Sequence, residues 1–232
     1  MNRLKTKKII GFLVALFLIF TIGLTAYGYF TSRDITYMFK KRVVIDKLDT
    51  GVDKDKDGIS DLEDIVQGAR KEVRNKTKYK DVYHAGGYPP DDEGVCTDVI
   101  WRALKNAGYD LKASIDKDIR VNMKDYANSV TIPDPNIDFR RVKNLYVFFS
   151  KYAQKLTTDV IPYDKENLEQ WQGGDIVIYG NQEHIAIISD KRRRDGVPYI
   201  IHNASTYAKE EDRLLAWKRK NKILAHFRYP KN

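Results

Sequence analysis

An apolar run near the amino terminus constrains this chain more than any other feature. No charged residue occurs between Ile9 and Phe30, and about 20 consecutive apolar residues are enough to cross a bilayer as a helix. Basic residues precede the run, namely Arg3, Lys5, Lys7 and Lys8. Because basic flanks stay in the cytoplasm, we predict a cytoplasmic segment over 1–8, a transmembrane anchor over 9–30 and an extracellular carboxy-terminal domain.

A cleavable signal peptide is the alternative interpretation of this segment. The tripeptide Ala26-Tyr27-Gly28 matches a small-residue cleavage site poorly, and the apolar run is long. Tyr27, Tyr29 and Phe30 stand at the far end of the run, where aromatic residues suit the boundary between lipid and water. These features favour an uncleaved anchor in the cell membrane.

Charge and composition limit the partners of the rest of the chain. About 200 residues follow the anchor, which suits one domain with a short accessory segment. The formal net charge is +9 and the isoelectric point is about 9.3. We expect no nucleic-acid partner, because the chain is exported and has no recognisable binding motif. Anionic wall polymers or lipid headgroups fit a basic outer surface, and a merely solvated surface is the alternative.

Residues 53–64 have the spacing of an EF-hand loop. Acidic side chains occupy loop positions 1, 3, 5, 9 and 12, and Gly58 at position 6 permits a sharp turn. Only one such loop occurs, so the sequence predicts a structural Ca²⁺ site rather than a sensor, with a metal-free acidic linker as the alternative. The predicted ligands are Asp53, Asp55, Asp57, the backbone carbonyl of Ile59, Asp61 and Asp64.

Helical periodicity dominates the first part of the domain, and strand-like alternation dominates the second. The predicted helices run from the loop to about residue 75, from residue 96 to a stop at Gly108, over 118–127 and over 142–152. The predicted strands are 175–179, 184–189, 199–203 and 223–229, with a charged hairpin tip at 191–196. Helices followed by mostly antiparallel strands indicate an α+β fold.

Cys96 is the only cysteine of the chain. Most cysteines outside the cell form disulfides, so a lone thiol there is inert, paired with another molecule or reactive. Cys96 begins a predicted helix, where unpaired N–H groups and the helix dipole favour a thiolate. His184 and His202 lie in predicted strands. A thiol on a helix N-terminus facing imidazoles on strands is the arrangement of a cysteine nucleophile and its base.

Several motifs occur in a characteristic order: Tyr83-His84-Ala85-Gly86-Gly87, Gly94-Val95-Cys96-Thr97-Asp98, Gly174-Asp175-Ile176-Val177, His184-Ile185-Ala186-Ile187 and Ile201-His202-Asn203-Ala204-Ser205. This series resembles the NlpC-type cell-wall cysteine peptidases, which are papain-like enzymes that cut peptide bonds in bacterial peptidoglycan. Over about residues 66–229 the chain more closely resembles an uncharacterised bacterial domain family of that superfamily. That resemblance uses Gly86-Gly87-Tyr88-Pro89-Pro90, Asn136-Ile137-Asp138, Arg140-Arg141-Val142, Asn144-Leu145 and His226-Phe227-Arg228-Tyr229.

The resemblance implies a papain-like fold, with N-terminal helices packed on a mostly antiparallel sheet, and a role for each matching residue. Cys96 matches the nucleophile and His184 the general base. His202 matches the residue that orients the base, with Asn203 as the alternative, and Tyr83 matches a tyrosine that helps to stabilise the oxyanion. We expect His84 and His226 to be structural and Asp98 to cap the helix or form a salt bridge. Arg140 and Arg141 are expected to be solvated or structural, with binding of a substrate carboxylate as the alternative.

These interpretations together predict a membrane-anchored, extracytoplasmic cysteine hydrolase that cleaves peptide or amide bonds of peptidoglycan stem peptides. One alternative is a non-catalytic module that binds wall polymers or a protein. Another is an acyl or amide transferase that uses the same Cys–His pair. The corresponding organisation is a spacer over 31–52, the calcium loop over 53–64 and a papain-like domain over 65–232.

Overall fold

The computed structural model has a mixed α+β fold with a mostly antiparallel sheet. It describes residues 3–31, 36–37, 39–216 and 222–231. The helices are α1 (Arg3–Thr31), α2 (Asp61–Asn75), α3 (Cys96–Asn106), α4 (Leu111–Asn122), α5 (Val142–Tyr152) and α6 (Lys165–Glu169). The strands are β1 (Lys78–Tyr79), β2 (Glu93–Gly94), β3 (Gln154–Lys155), β4 (Ile176–Tyr179), β5 (His184–Arg192), β6 (Pro198–His202), β7 (Lys209–Glu211) and β8 (Ile223–Arg228).

The predicted apolar helix is confirmed as α1. Its segment Lys7–Tyr29 is long and apolar enough to span a membrane, and its side chains are not buried inside the protein. A membrane anchor and a signal sequence share these properties of length and composition. The chain divides into a unit over Met1–Lys41, which contains α1, and a second unit over Arg42–Asn232, which contains every other helix and strand.

The main sheet has the strand order β3-β8-β4-β5-β6-β7, with antiparallel pairing throughout. Side chains alternate between its faces, as a period of two requires. Ile176 and its partner Ile187 face a core shared with α2, α3 and α5. Val177 and its partner Ala186 face a second core around Trp171. Both faces of β4 and β5 are therefore buried, and the start of β5 lies against the helix layer.

Residues 42–52, which the sequence analysis assigned to the spacer, run in extended form along the second core. Val43 and Ile45 pack against that core, and the Val43 N–H donates to the Arg194 carbonyl over 2.9 Å. Further along, the Leu48 N–H donates to the Gln172 side chain over 3.2 Å. These contacts make the segment part of the second unit, although its polar composition had suggested an irregular linker.

The short helix predicted over 118–127 is wrong in its boundaries. The structure has α4 at Leu111–Asn122, followed by a 3₁₀ turn at Met123–Tyr126. The Asp110 side chain caps α4 by accepting the Ala113 N–H over 2.9 Å, and such a cap fixes a helix start. The remaining predicted helices agree with α2, α3 and α5 to within a few residues.

The charged segment 191–196 does connect two strands, but its charges are not at a solvated tip. Arg193 and Asp195 are almost fully buried and form an ion pair. The Asp195 carboxylate also accepts the Val197 N–H. The sequence predicted a charged hairpin tip, whereas Val197 belongs to the second core and Gly196 lies close to Val43 and Leu168.

Gly68 allows α2 to lie close against α3. A Cβ at this position would lie 2.6 Å from the Asn106 Cβ and 2.9 Å from the Ala103 Cα. The contact also fixes the position of α3, which begins with Cys96. Only a residue without a side chain fits between these two helix backbones.

We predict that Gly68→Ala destabilises the protein by ~1–3 kcal/mol, because α2 and α3 must separate. We expect this loss of stability even though alanine favours a helix by about 1 kcal/mol relative to glycine. Urea unfolding of the full chain in detergent, followed by tryptophan fluorescence, measures the change. The neighbouring Gln67→Ala is the control and should shift stability by less than ~0.5 kcal/mol. Equal stability of Gly68→Ala and wild type would contradict the close helix contact.

Candidate active site

Cys96 is the first residue of α3 and its side chain is nearly buried. Its sulfur lies against the backbone N–H groups of Ile185, Thr97 and Cys96 itself, which favour a thiolate. Ile185 follows His184 at the start of β5. The packing of α3 on β5 therefore brings the predicted nucleophile next to the strand that carries the predicted base.

The Asp98 carboxylate fixes the start of α3. It accepts the Val95 N–H over 2.7 Å, the Trp101 Nε1–H over 2.8 Å and two N–H groups of Arg140 over 2.8 and 2.9 Å. The backbone carbonyl of Arg140 also accepts a hydrogen bond from the Thr97 hydroxyl over 2.9 Å. Val95 and Thr97, on either side of Cys96, are thus hydrogen-bonded to the two residues of one buried ion pair. Asp98 and Arg140 therefore have structural positions.

The two predicted histidines form one hydrogen-bonded chain with an acidic residue. His184 Nε2 lies 2.9 Å from His202 Nδ1. His202 Nε2 lies 2.9 Å from the Glu211 Oε1 atom. His202 is 2% exposed and His184 is 9% exposed. Strand pairing explains the arrangement, because β6 and β7 are antiparallel neighbours and β6 also pairs with β5.

Glu211 sets the tautomers along this chain. A carboxylate can only accept hydrogen bonds, so His202 carries its proton on Nε2 and accepts through Nδ1. His184 then donates from Nε2, which leaves Nδ1 as its basic nitrogen. The hydrogen bond from His202 lowers the pKa of Glu211 and keeps that carboxylate ionised. The chain therefore prepares His184 as a proton acceptor.

Burial holds the resting thiol and imidazole in their neutral forms. It raises the pKa of Cys96 to about 11, and the favourable backbone N–H groups do not reverse this shift. Burial, followed by the nearby His202, lowers the pKa of His184 to about 2. A pre-formed thiolate–imidazolium pair is thus not the resting state, so the thiol must lose its proton during a reaction rather than before it.

Asn203 does not contact the His184 ring through any hydrogen bond that the described structure contains. Its amide instead donates to the Thr77 and Gly94 carbonyls, 3.0 Å away in each case. This fixes the loop before Cys96 against the chain entering β1. Of the two candidates for orienting His184, the structure thus places His202, and not Asn203, at the base.

Tyr83 and Tyr79 both precede Cys96 in the chain. Tyr83 is more than half exposed, and its hydroxyl contacts Asn136 over 2.9 Å and Asp134 over 3.4 Å. Tyr79 pairs with Gly94 across β1 and β2. Its pKa is raised by burial, by Asp81 and by the Cys96 thiolate. The oxyanion role of Tyr83 stays a prediction, and Tyr79 is an additional phenol close to the thiol.

His226 has a structural position, as expected. Its ring stacks on Trp171 with a centroid distance of 3.8 Å, and it contacts the Thr157 carbonyl and the Asp175 carboxylate. Arg228 binds both oxygens of the same carboxylate. These residues hold β8 and β4 to the second core and do not join the Cys96 site.

The acidic loop lies at the other end of α3. A Cβ on Gly108, just after that helix, would meet the Asp55 Cβ at 3.0 Å. Carboxylate oxygens of Asp53, Asp55 and Asp57 lie within 4.8 Å of one another. The loop is therefore separated from Cys96 by the length of α3, about 16 Å at 1.5 Å per residue.

Sequence reasoning missed Glu211 and Tyr79. Glu211 belongs to Lys209–Glu211, a charged segment without strand-like alternation, so nothing in its pattern predicts β7 or its place beside His202. Tyr79 lies only four residues before Tyr83, and spacing along one chain does not tell which phenol faces the thiol. The parallel pairing of β1 with β2 makes that distinction.

The fold and the site define an α+β domain in which the helix that begins with a buried cysteine packs on the strand that carries one member of a hydrogen-bonded histidine pair. Residues 66–229 match the family model described as a domain of unknown function, DUF1287, and the chain belongs to this family. The uncharacterized protein YijF of Escherichia coli (strain K12) is 36% identical over 174 residues, which are 71% of this chain and 80% of YijF. No solved structure matches the chain.

The depressed pKa of His184 predicts a stability change with pH. Between about pH 6.5 and 2 the unfolded chain binds a proton at residue 184 that the folded chain lacks, so stability falls as the pH falls. The slope approaches ~1.4 kcal/mol per pH unit. His184→Gln should remove this contribution, narrowing the stability gap between pH 7.5 and 5 in urea unfolding. His84→Gln is the control, and parallel pH profiles for wild type and His184→Gln would contradict the buried neutral imidazole.

Proposed function

We propose that this chain is a membrane-anchored cysteine hydrolase of the papain-like NlpC type, which cleaves peptide or amide bonds of peptidoglycan. The observation that carries the proposal is the hydrogen-bonded chain His184–His202–Glu211, whose first residue precedes Ile185, the residue whose backbone N–H faces the Cys96 sulfur. A thiol nucleophile needs a base, and the base needs a partner that fixes its tautomer. A histidine pair that ends on a carboxylate supplies both.

In the acylation half of the proposed reaction, the Cys96 proton moves to Nδ1 of His184 as the sulfur attacks the carbonyl carbon. A C–S bond forms, and the carbonyl oxygen becomes an oxyanion. The Cys96 backbone N–H at the helix start is a donor for this oxyanion, and the Tyr79 or Tyr83 phenol is the second. Collapse breaks the C–N bond, and the amine leaves with the proton from His184.

Water completes the cycle. His184 takes one proton from a water molecule, whose oxygen attacks the thioester carbon. The C–S bond then breaks, the carboxylic acid leaves, and the sulfur recovers a proton from His184. His202 and Glu211 remain hydrogen-bonded throughout and hold the His184 ring in one tautomer and one orientation while it accepts and returns the proton.

Three features favour peptidoglycan stem peptides as the substrate. The motifs around Cys96, His184 and His202 resemble those of cell-wall peptidases. The amino-terminal helix has the length of a membrane span, and its basic flank favours an outward-facing domain. The positive net charge suits anionic partners, including the stem-peptide carboxylates and wall polymers.

A non-catalytic module is the second candidate, and the buried state of the thiol favours it. A thiol whose pKa is raised to about 11 has little thiolate at neutral pH, and structural buried cysteines are inert. In that case the domain would bind wall polymers or a protein with Cys96 as a packing residue. Transfer of the acyl group to an amine in place of water uses the same residues, and product masses separate it from hydrolysis.

We predict a graded loss of activity when purified muropeptides are digested by the full chain in detergent. Cys96→Ala should remove all turnover. His184→Ala should lower kcat/KM by about 10²–10⁴-fold, the usual contribution of a general base. His202→Ala should cost less, and Glu211→Gln least, because each acts through the previous residue. His84→Ala is the control, and mass spectrometry of products is the readout. No wild-type turnover would support the binding module.

Alkylation of the thiol gives an independent test of the base. Because little thiolate exists at neutral pH, we predict that iodoacetamide reacts with wild-type Cys96 mainly through proton transfer to His184. His184→Gln keeps a polar side chain of similar size at the site, and it should slow alkylation at pH 7.5 by at least about tenfold. Mass spectrometry of the labelled protein follows the rate. Identical rates at every pH would leave Cys96 as an inert buried residue.

A further inference from the structure

The loop that precedes α2 is wound so that its carboxylates face one point. Asp53 accepts the Lys56 N–H over 2.7 Å and the Gly58 N–H over 3.0 Å. Asp57 accepts the Ile59 N–H over 2.8 Å. The three carboxylates of Asp53, Asp55 and Asp57 approach within 4.8 Å of one another, two of them on exposed residues. Like charges this close repel one another, and a bound cation would relieve that repulsion.

Asp64 supplies the second, independent observation. It lies in the first turn of α2 and is only 3% exposed. Among the described residues, its Oδ2 atom is buried without a hydrogen-bond partner. The charges that act on it are those of Asp57, Asp55, Asp61 and Asp53. A buried, unpartnered carboxylate oxygen thus lies beside the loop, and burial of a polar oxygen without a partner is costly.

Asp61 has a different position from the other acidic residues. Its Oδ1 atom accepts the Lys54 N–H over 2.7 Å, and its Oδ2 atom accepts the Tyr109 hydroxyl in a short hydrogen bond. Both oxygens therefore accept hydrogen bonds within the protein, as those of Asp53 also do, but Asp61 is buried and Asp53 is only half-buried. The ninth position of an EF-hand loop often acts through a water molecule, and the hydrogen bonds of Asp61 suit that indirect role better than direct coordination.

We propose that this loop binds one Ca²⁺ ion. The carboxylates of Asp53, Asp55 and Asp57, the carbonyl of Ile59 and the carboxylate of Asp64 are the protein ligands, and Asp61 holds a water ligand. The set contains only oxygen, which suits a hard cation such as Ca²⁺. Asp64 is shorter than the glutamate usual at the last position, so the affinity belongs to the weaker, extracellular range of about 10⁻⁴–10⁻³ M.

The ion has a structural task that the packing defines. Asp64 lies in α2, and Asp55 packs on Gly108 just after α3. Tyr109 joins the same place through Asp61. One ion would therefore tie the loop, the first turn of α2 and the end of α3 together. It acts at the end of α3 opposite Cys96, so it stabilises the helix that carries the thiol without taking part in the chemistry.

Calorimetric titration of the full chain in detergent with CaCl₂ tests the site, with MgCl₂ for comparison. We expect one Ca²⁺ per chain, weaker Mg²⁺ binding and a rise in the melting temperature with Ca²⁺. Asp57→Asn should weaken Ca²⁺ binding at least tenfold. Asp46→Asn removes an exposed carboxylate of the adjacent segment as the control and should bind like wild type. No binding at millimolar Ca²⁺, or equal binding by Asp57→Asn, would overturn the proposal.

Asp64→Asn separates a metal ligand from a structural carboxylate. Without Ca²⁺ this variant should melt at a higher temperature than wild type, because it removes a buried charge that lacks a partner and faces four like charges. With Ca²⁺ it should show little or none of the wild-type rise. A variant that is less stable without Ca²⁺ and keeps the full Ca²⁺-dependent rise would overturn the role of Asp64. Muropeptide digestion is not needed, so the result does not depend on the proposed hydrolase activity.

Discussion

The buried ion pair between Asp98 and Arg140 is the interaction on which the rest of the site depends. Asp98 lies two residues after the thiol, and its carboxylate is shared by the Val95 N–H, the Trp101 indole and the Arg140 guanidinium. Removing one partner of a buried pair typically costs ~3–5 kcal/mol, because it leaves an uncompensated charge. This network of hydrogen bonds thus fixes the orientation of Cys96 at the start of α3. Disrupting it would also destabilise the residues around the helix start.

The sheet supplies the other half of the geometry. His184, His202 and Glu211 come from three successive neighbouring strands, so antiparallel pairing places them in a row without any loop having to adopt a special shape. Rigid elements position side chains more precisely than loops do. The row of polar side chains ends at the ionised carboxylate of Glu211. Because this carboxylate accepts the hydrogen bond of His202, the two adjacent imidazoles are stable although both are buried.

The sequence predicted those parts of the fold and site that have a local signal. Apolar periodicity located α2, α3 and α5, and alternation located β4, β5, β6 and β8 to within a few residues. Cys96 was singled out as a lone thiol at a predicted helix start, and His184 and His202 as imidazoles in predicted strands; the structure brings these two histidines together. Glu211 was not, because its strand has no apolar pattern and its role exists only through pairing with β6. The buried Arg193–Asp195 pair was misjudged as exposed, because a charge in a sequence does not reveal its partner.

The two ends of α3 lie in opposite electrostatic environments. At its start, backbone N–H groups surround a thiol that would become an anion in the proposed reaction. At its other end, the acidic loop and Asp64 gather carboxylates that repel one another. These environments are separated by the whole helix, about 16 Å, so a cation at the loop would hardly favour a thiolate at Cys96 in the presence of salt. Its effect on activity would therefore pass through the position of α3, held against α2 at Gly68, rather than through the charge of the ion.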